Sequence, residues 1–164
     1  MDKYRIKERL EIMLTIIDII RALSLLIGEH FPDYPVNDRD MVEEFPRPSY
    51  FIDVGDITTE LATNGFTSEK TDIEIYFYCE DIYQGFLQLL DMKNELFQLL
   101  SKPLKVTSED GEMVAHVVLN NLKITISKAD KALRVDCESE LIQTIPELDY
   151  PYNEYMETLE VKGD

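Results

Sequence analysis

Groups that perform chemistry are scarce in this chain. Its 164 residues include only two histidines and two cysteines. His30 follows a glycine placed to end a helix, and His116 falls in a predicted strand. Neither has a second ligand at metal-binding spacing, so no metal or other cofactor is expected. Cys79 and Cys137 are far apart and form no Cys-x-x-Cys pair, which removes the redox and zinc-motif readings. A domain of this size needs no disulfide, so two buried free thiols in a reducing compartment are expected. Glycine-rich dinucleotide and phosphate loops, the zinc-protease helix motif and the nucleophile elbow are all missing. With so few bases, a nucleophile–base pair has little to draw on. Nothing positive points to an enzyme.

Positive charge is also short. Lys and Arg number 16 against 33 Asp and Glu, a formal net charge of −17. That balance argues against a surface that grips phosphates. It suits solubility, a basic partner, or a wall past which nucleic acid slides without sticking. A membrane-spanning run is lacking too. The apolar stretch Ile12–Ile27 contains Asp18 and Arg21 and is shorter than the ~20 residues a span needs. Charges throughout the first residues (Asp2, Lys3, Arg5, Lys7) do not fit a signal peptide. The stretch reads as a core helix, with no membrane partner expected.

What is present is a succession of elements. Apolar spacing predicts a long helix from about Lys3 to Ile27, buried along two stripes and stopped by Gly28 and Pro32. Asp18 and Arg21 are placed to pair on its polar strip. Residues 29–48 form a loop rich in Pro and acid, in which Val36 is the one candidate for a short strand. A hairpin follows over about Ser49 to Cys79, with Asn64-Gly65 as a type I′ turn signal and a looser polar tip allowed for. In its returning arm, Ile73, Ile75, Phe77 and Cys79 share the core face. Glu74, Tyr76, Tyr78 and Glu80 share the other. A second helix over about 81–100 carries Phe86, Leu89/Leu90, Lys93, Leu96/Phe97 and Leu100 at helical spacing. The closing pair is about Val114–Ser127 and Ala132–Ile142, joined by a turn at 128–131, with a bulge expected at Asn120-Asn121.

The fold class is therefore α+β: a mainly antiparallel sheet of four to five strands, two principal helices packed on it, and extended hairpin arms. One domain is expected over residues 1–145, followed by an acidic extension over 146–164. That extension holds Tyr150, Tyr152 and Tyr155 among six acids and one lysine. Two readings of it stand: a frayed tail, or an arm whose tyrosines dock on a neighbour. The candidate assembly-interface residues are Tyr76, Tyr78, Asn120, Asn121, Tyr150, Tyr152 and Tyr155. Tyr76 and Tyr78 could stack bases, but Glu74 and Glu80 flank them and no basic groove accompanies them. The Asp38–Glu44 acidic cluster could hold Mg²⁺, although charge runs of this kind are usually solvated.

With these segments laid out, the chain resembles the phage tail terminator, or tail completion, proteins of Gram-positive phages and phage tail-like bacteriocins. The resemblance rests on the helix ending at Gly28-Glu29-His30-Phe31-Pro32, on Pro48-Ser49-Tyr50-Phe51-Ile52 and on Thr71-Asp72-Ile73-Glu74-Ile75-Tyr76-Phe77. It continues through Phe86–Leu100, Leu104-Lys105-Val106 and the closing hairpin 117–126 and 133–140. It implies a hexameric ring seated on the last ring of tail-tube protein, stopping tube polymerisation and facing the head–tail connector or, in a contractile particle, the sheath. It also implies assembly in the bacterial cytoplasm, residence in the finished virion tail, and DNA only in non-specific passage through the lumen. The family offers no catalytic residue to carry over. Rival readings are another neck or minor tail protein and, from other classes, a small acidic Mg-dependent hydrolase or a DNA-mimic inhibitor.

Overall fold

The computed structural model describes residues 13–37, 46–63, 65–111 and 114–144. Its first helix, α1, runs Ile16–His30, so residues 13–15 of the expected longer helix are not helical. The reason is local. The backbone N–H and hydroxyl of Thr15 both donate to the Asp18 carboxylate at 2.9 Å, an N-terminal cap that fixes where the helix begins. Arg21 donates to the same carboxylate at 3.0 Å, the expected pair, but Asp18 is buried rather than on a solvated strip. Replacing Asp18 by alanine removes all three contacts and should cost about 1–2 kcal/mol. Asp18→Asn, which keeps an acceptor for Thr15, should cost less. Urea midpoints of the two variants check the order.

Gly28 does not cap α1. The helix continues to His30 and ends at Phe31, whose N–H donates to Ile27 O at 2.8 Å. Pro32 enforces the stop by disfavouring helical backbone at the residue before it. The buried face is Ile19, Leu23 and Ile27, one stripe rather than two, and Ile17 is 65% exposed.

The main sheet has four antiparallel strands in the order β1 (Ser49–Thr63), β2 (Phe66–Tyr78), β6 (Ala132–Thr144), β5 (Leu119–Ser127). A second, two-stranded sheet pairs β3 (Leu104–Thr107) with β4 (Val114–Val117). The closing hairpin is thus broken at Val118, and its first arm serves two sheets instead of one. α2 (Tyr83–Leu100) packs on β5 and β6, and α1 lies against β3. A Cβ at Gly85 would sit 2.6 Å from the Glu80 carbonyl oxygen, so the first turn of α2 can close on the end of β2 only with glycine there. Val36 forms an isolated parallel bridge with Tyr50, less than a strand.

Alternation in β2 and β6 divides the sheet cleanly. Ile73, Ile75 and Phe77 face the helices opposite Cys137, Val135 and Leu133, and all six are buried. Cys79 and Cys137 are buried free thiols. Further along the same face the opposed pair is Thr71 and Ser139, small buried polar residues within a core that continues past them to Leu141. Past that row the expected two-stranded arm is a three-stranded extension, because β6 stays paired with β2 as far as Phe66 opposite Thr144; β1 turns into β2 at Gly65, whose φ of 87° suits only a residue free to adopt left-handed backbone. The strands stay paired up to the turn. Register shifts after Val54 and Leu61 absorb the irregularity expected of a looser tip. At the far end of β6, Gln143 clamps Leu14: its Nε2 donates to Leu14 O at 2.8 Å, and Leu14 N–H donates to its Oε1 at 2.9 Å.

Candidate assembly surface

The face of the sheet away from the helices is polar and aromatic. Pairing of β2 with β6 sets Tyr76 directly opposite Arg134, Glu74 opposite Asp136, and Tyr78 opposite Ala132. One guanidinium organises this patch. Arg134 donates through Nη2 to Glu74 at 2.9 Å and through Nε to Asp136 at 2.6 Å, and its Cζ stands 5.6 Å from the centre of the Tyr76 ring. The Tyr76 hydroxyl donates to Glu74, which closes the circuit. Tyr76 and Tyr78 stack with ring centres 6.4 Å apart and planes inclined by 10°.

A second guanidinium holds the other end. Arg47 lies 5.4 Å over the Tyr78 ring and donates to the carbonyls of Cys79 and Asp130 at 3.1 Å. It thereby ties the segment before β1 to the β5–β6 turn. Lys131 and Asp81 form an ion pair beside it. Together with Thr125, these side chains line a shallow cavity of about 640 Å³.

Electrostatics keep the patch chemically quiet. Burial, then the hydrogen bond and charge of Glu74, push the Tyr76 hydroxyl up to about 12. Burial raises Tyr78 as well, against the opposing pull of Arg47. The hydrogen bond from Lys131 holds Asp81 below the usual carboxylate range, and the bond to Asp136 raises Arg134 further. Protonated phenols and fully charged ion pairs are poor acids, bases and nucleophiles near neutral pH. The half-buried Tyr76 ring and the fixed guanidinium groups are instead suited to being covered by another protein, whereas Tyr78 is already buried beneath Arg47.

Of the residues singled out from sequence, Tyr76 and Tyr78 are brought together here. Asn120 and Asn121 lie further along the same face, at the expected bulge, where the β5 register shifts and Asn121 takes a φ of 53°. Asn120 is paired with Glu138, and Asn121 borders a small cavity with Asp72, Glu74 and Asp136. Tyr150, Tyr152 and Tyr155 lie outside the described residues, as does the Asp38–Glu44 cluster. His30 is turned to the Leu26 carbonyl at 2.9 Å, and His116 pairs across β3 with Lys105. Among the described residues, no three metal-ligating side chains converge, and no helix is long and apolar enough to cross a membrane.

Sequence reasoning missed Arg47 and Arg134. The alternation Leu133-Arg134-Val135-Asp136 does place Arg134 on the open face, but its meeting with Tyr76 depends on a register set by residues some sixty positions apart. Arg47 carried no local signal. The sequence also matches a protein family described as "Phage tail terminator protein", over residues 18–150. None of the curated proteins matches it.

Proposed function

The chain belongs to the phage tail terminator family, and from that premise we propose that it forms a ring, six-fold in symmetry, that caps the tail tube and ends its polymerisation. Membership makes it a structural component of a phage tail that works against other tail proteins. The observation that carries the finer reading is the extent of the match, since residues 18–150 take in nearly all of α1, the whole of α2 and every strand. One side of the ring binds the last ring of tube protein. The other meets the head–tail connector and, in a contractile particle, the top of the sheath. Assembly takes place in the bacterial cytoplasm, before the ring joins the virion tail or tail-like particle.

Two further features support this reading. A net charge of −17 suits a lumen through which DNA passes without binding, because like charge disfavours phosphate contacts. The open sheet face, rich in rings and ion pairs but poor in reactive groups, suits docking without catalysis. Its Tyr76–Tyr78 patch is an assembly contact in this reading, and the tyrosines of residues 146–164 dock on a neighbouring molecule. Deleting the gene should yield tails of unregulated, excessive length by electron microscopy, with normal length restored by the gene in trans. Tails of wild-type length in the deletion strain would sink the reading.

A further inference from the structure

The side of α1 turned away from the core is not polar throughout. Ile17, Arg21 and Leu25 recur there every four residues, and Leu25 is 63% exposed. These residues border a groove. On α1 its wall is Ala22, Leu25 and Leu26, and the facing wall is Leu99, Pro103 and Leu104, from the end of α2 into β3. This cavity of about 660 Å³ continues toward the N-terminal end of α1 into a second of about 450 Å³, since Asp18, Arg21, Ser108 and Glu109 line both. Met13 and Ile17 bound the second. From Ile17 to Leu25 the groove follows α1 for about 12 Å, and its mouth lies where the chain enters the described fold.

Residues 1–12 arrive at that mouth. Leu14 is buried and clamped by Gln143, and Met13 before it lines the groove. One peptide bond therefore delivers residue 12 to the opening. Ile6, Leu10 and Met13 follow the i, i+4, i+7 spacing of a single helix face. A helix this short is marginal alone and depends on burying such a face against another element. Residues 13–15 are not helical, and three residues suffice to join two antiparallel helices. Counted outward from Leu14 in both directions, Leu10 falls level with Asp18 and Ile6 with Ala22, one turn from Leu25.

Charge decides little along the groove and something at its mouth. Asp18 and Arg21 pair with each other, and Glu29 stands with Lys102 and Lys105 at the far end. The mouth adds the carboxylates of Glu109 and Asp110. Residues 1–12 hold four bases against three acids in a chain of net charge −17. With Ile6 and Leu10 turned inward, Lys7 and Arg9 fall on the flanks of the helix, and Glu8 and Glu11 on its outer side.

We propose that residues 1–12 form a short helix that folds back antiparallel to α1 and fills this groove with Ile6 and Leu10. The occupant is the chain's own segment. Tethered at the mouth, it has an effective concentration on the order of millimolar, which a second copy does not reach in dilute solution. The contact does not depend on the ring reading.

Cysteine pairing in the full chain tests it. Ile6→Cys with Leu25→Cys, oxidised at low protein concentration, should give a bridged monomer, seen as faster migration on a non-reducing gel. Ile6→Cys with Ile142→Cys should not: position 142 is exposed and adjoins the Gln143 clamp, close to the tether but outside the groove. The native Cys79 and Cys137 are buried. Leu10→Gln and Leu25→Gln should each lower the urea midpoint by roughly half a molar, and the double variant should fall little further, because both remove one contact. Bridging to both positions or to neither, covalent dimers in place of the bridged monomer, or additive losses in the glutamine pair would overturn the proposal. Dimers would assign the groove to the segment of a second copy.

Discussion

Phe77→Ala is expected to destabilise the fold by about 3–5 kcal/mol, a large part of the ~5–15 kcal/mol that holds a domain together. Phe77 is fully buried at the meeting point of three rings. Tyr50 of β1 stacks on it at 5.6 Å, and Phe31 and Tyr34 present their edges at 6.1 Å. The substitution therefore removes more than transfer free energy. It opens a void that rings anchored at the C-cap of α1, in the following loop and in β1 must all move to fill, and packed interiors relax only partly. The loop itself is held to β1 by few main-chain bonds, Asn37 N–H to Tyr50 O at 2.7 Å and Tyr50 N–H to Pro35 O at 3.0 Å. Loss of Phe77 should therefore loosen residues 31–37 before the rest. Urea unfolding followed by circular dichroism measures the first effect, and hydrogen exchange at Asn37 and Tyr50 the second. A loss below about 1.5 kcal/mol would mean that the aromatic cluster is not the keystone of this end of the core.

The same cluster shows what the sequence made legible. The strict alternation Ile73-Glu74-Ile75-Tyr76-Phe77 named the buried face of β2 residue by residue, because a half-covered strand allows only that solution. The turn at Gly65 and the bulge at Asn120-Asn121 were legible for a similar reason: few backbones suit those residues. The helices were read less well. The apolar run through Ile12–Ile27 carries no break in pattern, so the start at Ile16 is visible only in the Thr15-x-x-Asp18 cap. In α2 the doublets Leu89-Leu90 and Leu96-Phe97 fit a core stripe in either register. The fold buries Leu89 and Leu96 and turns Leu90 and Phe97 outward, a choice that the spacing alone leaves open. The break at Val118 and the meeting of Arg134 with Tyr76 depend on pairings across the sheet that local pattern does not encode. The candidate assembly surface was thus half legible: its rings could be named in advance, its cations could not.

Tyr34→Phe is expected to act in the opposite direction from Phe77→Ala and to depend on pH. Tyr34 is 6% exposed, and its hydroxyl is buried without a hydrogen-bond partner among the described residues. Folding thus strips that hydroxyl of water and gives little in return, so phenylalanine should stabilise the chain at pH 7 by about 1 kcal/mol. Burial above all, aided by the nearby Cys79, Glu80 and Asp33, pushes the Tyr34 hydroxyl up to about 12. An unfolded tyrosine ionises near pH 10. The folded state therefore holds this proton more tightly than the unfolded state does. The stability tied to it is fully present below about pH 10 and is lost as pH rises from there toward 12. The variant has no such proton to lose. Its advantage over the wild type should be constant from pH 6 to 9 and widen above pH 10, while Tyr50, Tyr76 and Tyr78, all shifted upward, still draw both chains toward alkaline unfolding. Urea midpoints at pH 7, 9 and 11 measure the gap. A variant less stable than the wild type at pH 7 would show that the hydroxyl is satisfied in solution. A gap that stays flat through pH 11 would show that Tyr34 ionises in the folded chain as readily as in the unfolded one.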